Sequence, residues 1–195
     1  GICPYVAAGD TVAGYASCGA GVGPTAVDQI VGVVKAYTTR VGNGPFPTEL
    51  LDACGDNLRQ IGNEYGATTG RNRRCGWFDA PVVRKAAMVN GLTHLAITKL
   101  DVLDTFDSIK ICTAYKCDGE TLDLIPNQLS KVGRCEPVYE EMPGWKQDTT
   151  ACKSWDELPE NAKNYLKRLA ELVDVKIGMV SVGARRDQSI IIDME

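Results

Sequence analysis

The stretch Gly66-Ala67-Thr68-Thr69-Gly70-Arg71-Asn72-Arg73-Arg74 gathers two hydroxyls, two glycines and three guanidiniums, with Tyr65 before it and Trp77 and Phe78 after. These residue types suit the reception of anions. Arginine offers a planar fork of donors that pairs bidentately with carboxylate or phosphate, and glycine lets main-chain N–H groups approach a ligand closely. The competing reading is a solvated basic loop, the ordinary fate of a charge run. The chain carries a formal net charge of −4 over 195 residues, so the cluster is a local cationic site on an acidic protein. The same balance argues against a nucleic-acid partner, because phosphate neutralisation requires a basic footprint.

A second chemistry sits at Thr98-Lys99-Leu100-Asp101, directly after an apolar run, Leu92 to Ile97, that reads as a buried strand. An aspartate carboxylate accepts from both guanine N1–H and the 2-amino group, whereas adenine presents an acceptor at N1 and has no 2-amino group. An aspartate so placed selects guanine, and the lysine's methylene stem can lie against the base. The tetrapeptide resembles the [Asn/Thr]-Lys-x-Asp motif of GTP-binding proteins, with an ordinary polar turn as the alternative for so short a match. Ser181-Val182-Gly183 follows another apolar run, Val175 to Val180, and offers the main-chain and hydroxyl contacts a guanine pocket needs. Gly19-Ala20-Gly21-Val22-Gly23 lacks the Lys-Ser/Thr of a P-loop and the complete dinucleotide fingerprint; residues 8 to 24 read as a glycine-rich loop.

The apolar residues Val27, Ile30, Val31, Val34 and Tyr37 predict a helix from Thr25 to about Arg40. Val41 to Leu50 reads as a turn stiffened by Pro45 and Pro47. Leu51 to Gly62 predicts a short helix with Leu51, Leu58 and Ile61 inward. Pro81 to Gly91 is a helix with Pro81 in its first turn and Asn90-Gly91 as its end. Ile109 to Tyr115 reads as a strand and Cys117-Asp118-Gly119-Glu120 as a hairpin turn. Residues 121 to 150 read as short strands with irregular connections. Pro159 to Leu172 is an amphipathic helix with Ala162, Tyr165, Leu166 and Leu169 inward, and Ser189 to Ile192 a final strand. Helix and strand alternate, and the ligand-like residues follow strand ends, as at the carboxyl edge of an open sheet. The expected fold is α/β, a mostly parallel open sheet with flanking helices.

No run of about 18 apolar residues is present, so no membrane helix is expected, and a cytoplasmic location follows. Eight cysteines carry no paired zinc spacing, and His94 is the only histidine. The cysteines are expected to be free thiols acting as small buried hydrophobes.

Four blocks in this order resemble adenylosuccinate synthetases. They are Val41 to Leu50, Gly66 to Trp77, Thr98 to Asp104, and Met142-Pro143-Gly144-Trp145. The resemblance covers essentially the whole chain. It implies a homodimeric enzyme, related to P-loop NTPases, that uses GTP and Mg2+ to join IMP to L-aspartate: GTP phosphorylates the 6-oxygen of IMP, and the aspartate amine displaces that phosphate. Residue by residue it implies an aspartate loop at Ala67, Thr68, Thr69, Gly70, Arg71, Asn72 and Arg73. IMP contacts would come from Arg71, Val41 and Gly42, and GTP contacts from Arg73, Lys99, Leu100, Asp101, Ser181, Val182 and Gly183.

Three positions depart from the family's usual pattern. Ala7 stands where a threonine commonly meets the IMP phosphate, Asn72 where arginine is common, and Ala184 where proline is common. The resemblance places the phosphate loop, the catalytic aspartate and histidine and the magnesium ligands in an N-terminal half that this sequence does not contain. The chain, residues 1–195, is therefore expected to be the C-terminal portion, with an incomplete fold, no catalytic or metal-binding residue of its own and no activity alone. The alternative is a guanine-nucleotide-binding module without catalysis. The arginine loop separates the two, since gripping a dicarboxylate calls for it and regulating through a nucleotide does not.

Overall fold

The computed structural model describes residues 12–192, and the expectations for Cys3, Ala7 and Gly9 lie outside them. In chain order the elements are α1 (Gly14–Ala20), a 3-10 turn (Pro24–Ala26), β1 (Val31–Lys35), β2 (Thr38–Arg40), α2 (Ala53–Ile61), β3 (Arg74–Gly76), β4 (Phe78–Asp79) and α3 (Ala80–Asn90). There follow β5 (His94–Thr98), a second 3-10 turn (Leu100–Leu103), β6 (Ser108–Cys117), β7 (Glu120–Leu122), α4 (Leu129–Val132), β8 (Glu136–Pro143), α5 (Glu160–Val173), β9 (Lys176–Ser181) and β10 (Ser189–Ile191).

The central sheet has the order β1-β5-β9-β10, with β1, β5 and β9 parallel and β10 antiparallel at its edge. This is the expected open α/β arrangement. A second sheet forms around the long β6, which pairs in parallel with β4 and antiparallel with β7 and β8. The antiparallel β2–β3 pair links the regions before and after the arginine loop. Between the layers lies one principal core, in which Leu95, Ile97, Leu100, Leu103, Ile109, Ile111, Tyr165, Leu166 and Leu169 are buried. Tyr165 of α5 donates its hydroxyl to Ala36 O at 2.6 Å, tying the helix to the end of β1.

The expected helix over residues 25 to 40 is wrong. Its apolar spacing is also met by a β-branched run, Ile30-Val31-Gly32-Val33-Val34, and such residues favour a pleated ladder. Pairing with β5 decides the matter, with Val31 opposite His94 and Lys35 opposite Thr98. Gly32 permits the approach, because a Cβ there would stand 2.4 Å from Leu92 Cδ1. The glycine-rich loop is also corrected, since Gly14–Ala20 is helical and ends on Gly21 in the left-handed region. Ala13 N–H donates to Asn90 Oδ1 at 2.8 Å and anchors this segment to α3.

The helix before the arginine loop forms, but Leu51 is 89% exposed and Ile61 is exposed too. Leu51 precedes the N-cap Asp52, and the inward face carries Gly55 and Leu58 instead. Residues 121 to 150 hold the end of the short β7, a helical turn and one long strand, β8, rather than a series of short strands. The turn at Asp118-Gly119 forms as expected, both residues at positive φ. Of the described cysteines all seven are free, and Cys75, Cys112, Cys117 and Cys135 are buried.

Asp79 joins the two layers. Its carboxylate accepts from Tyr115 Oη at 2.5 and 2.6 Å, from Thr48 Oγ1 at 3.3 Å and from Val82 N–H at 3.3 Å, capping α3. Burial pushes its carboxyl up to about 6, against the opposing effect of these donors. A folded value above the unfolded one means that the group's contribution is full at low pH and is lost as pH rises through about 6. Asp79→Asn removes that loss. The melting temperature of the variant relative to the parent is expected to improve between about pH 4 and about pH 7, by the equivalent of roughly 2–3 kcal/mol. The same offset at both pH values would contradict the assignment.

Candidate functional site

The arginine loop is a closed turn between α2 and β3. Gly66 N–H donates to Arg71 O and Gly70 N–H to Gly66 O, both at 2.8 Å, and Tyr65 bridges Asn72 across the neck. Gly70 sits at φ 64, a left-handed conformation open to glycine. Ala67, Thr68, Thr69, Gly70, Arg71 and Asn72 are all exposed at its tip. Thr69 turns inward, its Oγ1 accepting from Arg71 N–H at 3.4 Å.

The three arginines have three different situations. Arg74 is structural: its fork grips Glu49 (Nε to Oε1, 2.7 Å), donates to Gly44 O at 2.8 Å and Gly42 O at 3.2 Å, and lies over the Phe46 ring. Arg73 is half engaged, giving Nη1 to Glu64 at 2.8 Å while its Nε is buried without a partner among the described residues. Arg71 is exposed, and its guanidinium has no partner among them. Arg71 and Arg73 line one hollow with Val41, Gly42, Asn43, Gly66, Thr69, Asn72 and Arg74. The turn held by Arg74 thus brings Val41 and Gly42, 30 residues earlier in sequence, against the loop. The hollow offers one uncommitted guanidinium, hydroxyls and glycine backbone, a donor set suited to carboxylate or phosphate.

Lys35, Lys99 and Ser181 stand at or just beyond the carboxyl ends of β1, β5 and β9, on the same edge of the central sheet. Beneath this edge lies Glu64, whose side chain is wholly buried. Its Oε1 accepts from Lys35 Nζ at 2.7 Å, Lys99 Nζ at 2.8 Å and Tyr37 Oη at 2.6 Å, and its Oε2 from Arg73 Nη1 at 2.8 Å. Burial alone would raise this carboxyl, but the donors overcome it and hold it down to about 2. Three cations meet one carboxylate, leaving an excess of positive charge at the sheet edge. Burial and the neighbouring Lys99 and Arg73 charges press Lys35 below its ordinary value, against the pull of Glu64. The sequence reading missed Glu64; only its place two residues before the loop hinted at a part in it.

Lys99 adopts φ 60, left-handed and uncommon for a side-chain-bearing residue. This conformation turns its stem back so that Nζ also donates to Gly62 O at 2.5 Å. Leu100 is fully buried in the core, which leaves only its main chain for a ligand. Asp101 follows, its Oδ1 buried and without a hydrogen-bond partner among the described residues. Burial raises its carboxyl above the usual range, with Lys99 opposing. An acceptor left unpaired in a buried place is costly unless something supplies a donor.

Asp101 faces a cavity lined by Ile61, Asp104, Thr105, Lys146, Gln147, Asp148 and Thr150. Its wall is the segment after β8, pinned by Asp104: Trp145 Nε1 donates to Oδ1 at 2.6 Å and Thr149 N–H to Oδ2 at 2.7 Å. Gly144 is needed at the bend, since a Cβ there would overlap Phe106 O. The sequence alone assigns no site role to residues 146–150. Ser181, Val182 and Gly183 lie beside this region in the β9–β10 turn. Gln188 bridges the two, with Nε2 donating to Thr150 O at 3.0 Å and its main-chain O accepting from Val182 N–H at 2.9 Å. Ser181 Oγ donates to Gly183 O at 2.8 Å, so this segment is closed on itself. His94 is buried at the opposite, amino end of β5.

A family model described as adenylosuccinate synthetase matches residues 1–190. Adenylosuccinate synthetase of Trichlorobacter lovleyi is 57% identical over 192 residues, spanning 98% of this chain and 45% of the relative. That of Picosynechococcus sp. is 58% identical over 193 residues, 99% of this chain and 44% of the relative. The solved structure of fully ligated adenylosuccinate synthetase from Plasmodium falciparum superposes with a TM-score of 0.93 at 40% identity, covering 97% of this chain and 46% of that one. The chain thus spans a little under half the length of the relatives it matches.

Proposed function

The chain belongs to the adenylosuccinate synthetase family, and from that premise we propose that it supplies the aspartate, IMP and guanine contacts of a GTP-dependent ligase that joins IMP to L-aspartate. Arg71 and Arg73, with Thr68, Thr69 and the loop backbone from Ala67 to Asn72, take the aspartate carboxylates. Arg71 also reaches IMP from the hollow it shares with Val41 and Gly42, and Arg73 lies toward the GTP phosphates. Asp101 accepts the guanine N1–H and 2-amino donors; Lys99, the main chain of Leu100, and Ser181, Val182 and Gly183 complete that pocket. In the reaction GTP phosphorylates the 6-oxygen of IMP, and the aspartate amine displaces phosphate. The homodimer of the family and a cytoplasmic setting belong to the same proposal.

The observation that carries this reading is the uncommitted Arg71 guanidinium sharing one hollow with Val41, Gly42, Thr69 and Arg73. The described residues hold no group of three potential His, Cys, Asp or Glu ligands for a metal ion. The same proposal takes the isolated chain to be inactive alone.

The test is a chimera in which residues 1–195 replace the matching stretch of the Trichlorobacter lovleyi relative. It is expected to form adenylosuccinate from IMP, L-aspartate and GTP, quantified chromatographically. A chimera that folds and binds GTP but forms no product, beside an active parent, would leave the binding module without chemistry as the better reading, which the unpaired Asp101 Oδ1 also suits.

A further inference from the structure

The carboxylate of Glu64 touches the cation that leads the guanine motif and the cation that closes the arginine loop. Lys99 Nζ and Arg73 Nη1 lie 2.8 Å from its two different oxygens, and neither cation has a second carboxylate in salt-bridge reach among the described residues. The side chain is wholly buried, and Tyr37, itself buried, fixes Oε1 from a third direction. Four donors in a fixed arrangement around one carboxylate leave no freedom of rotation, and a charge so placed is strongly bound by its partners. The main chain repeats the link, with Arg73 N–H donating to Glu64 O at 2.9 Å. Resting on the reading above, we propose that Glu64 is a positioning residue that sets Lys99 for the nucleotide and Arg73 for aspartate and phosphate, so that the two sites share one electrostatic anchor.

The anchor acts on specific ligands. Arg71, which reaches IMP as well as aspartate, is not among the hydrogen-bond partners of Glu64, and Gly42 and its turn are held through Arg74. Loss of the Glu64 charge should therefore weaken GTP and aspartate together and spare IMP. A residue needed only for folding would lower the melting temperature without that selectivity.

The measurement is made in the active chimera, whose own turnover tests the function separately. Glu64→Gln keeps the shape and one acceptor but removes the charge. The KM for GTP and for aspartate is each expected to rise tenfold or more, the KM for IMP to stay within threefold, and Glu64→Asp to recover part of both losses. Because Gln leaves three cations facing one another, a second variant pairs Glu64→Gln with Lys35→Met. It removes a cation that belongs to neither ligand site and keeps the charge of the cluster unchanged. The same two constants are expected to rise in it. Parental KM values for GTP and aspartate in a folded variant would overturn the proposal, as would an equal rise in all three constants. If neither variant folds, Glu64 is a stability residue and the proposal fails.

Discussion

Asp101→Asn in the chimera is expected to raise the KM for GTP ten- to a hundredfold while leaving the KM for aspartate within about threefold. The estimate follows from hydrogen bonds to a charged group, worth about 1.5–3 kcal/mol. Oδ1 of Asp101 is buried and has no hydrogen-bond partner among the described residues, so that oxygen has no internal bond to lose on substitution, and the cost there falls on the ligand. The amide also presents a donor where guanine offers donors of its own. ITP lacks the 2-amino group and gives Asp101 one donor instead of two, so the substitution should penalise ITP less than GTP and narrow the gap between them. An unchanged preference for GTP over ITP would remove Asp101 from the guanine pocket.

Arg71→Leu is expected to raise the KM for aspartate tenfold or more, with a smaller rise for IMP and none for GTP. The residue is exposed and its guanidinium has no protein partner among the described residues, so the melting temperature should barely move and the kinetic change can be read as lost ligand contact. Arg74 would be an uninformative choice, since its fork holds Glu49 and the Gly42–Gly44 turn and its removal would disturb the hollow itself. An aspartate KM within twofold of the parent would end the assignment of the loop to aspartate.

These two residues were legible because their chemistry is local. Asp101 sits in a tetrapeptide after a strand, and Arg71 in a turn whose glycines and hydroxyls adjoin it in sequence. α5 was equally legible, because its buried residues recur at the helical period over 14 residues. β1 was not: Val27, Ile30, Val31, Val34 and Tyr37 satisfy a helical period by accident, and only the partner strand, some 60 residues on, resolves it. Glu64 and Asp104 escaped for a related reason. Their importance lies in what reaches them, Lys35, Lys99 and Arg73 for one and Trp145 and Thr149 for the other, and none of these is a sequence neighbour at a fixed spacing. A motif records which residues face the ligand; the buried groups that aim them are visible only once the chain is folded.

The left-handed backbone of Lys99 has a consequence for how such a protein can be improved. A residue with a Cβ gives up about 1 kcal/mol to sit there, and glycine would sit there without strain, offset in part by its greater chain entropy. Lys99→Gly would nonetheless discard the ammonium that meets buried Glu64 and Gly62 O, and taking a partner from a buried charge costs more than the strain it relieves, so the exchange is expected to lower the melting temperature. Position 99 is a point where backbone ease and side-chain grip pull in opposite directions, and a thermostabilised variant should keep its lysine.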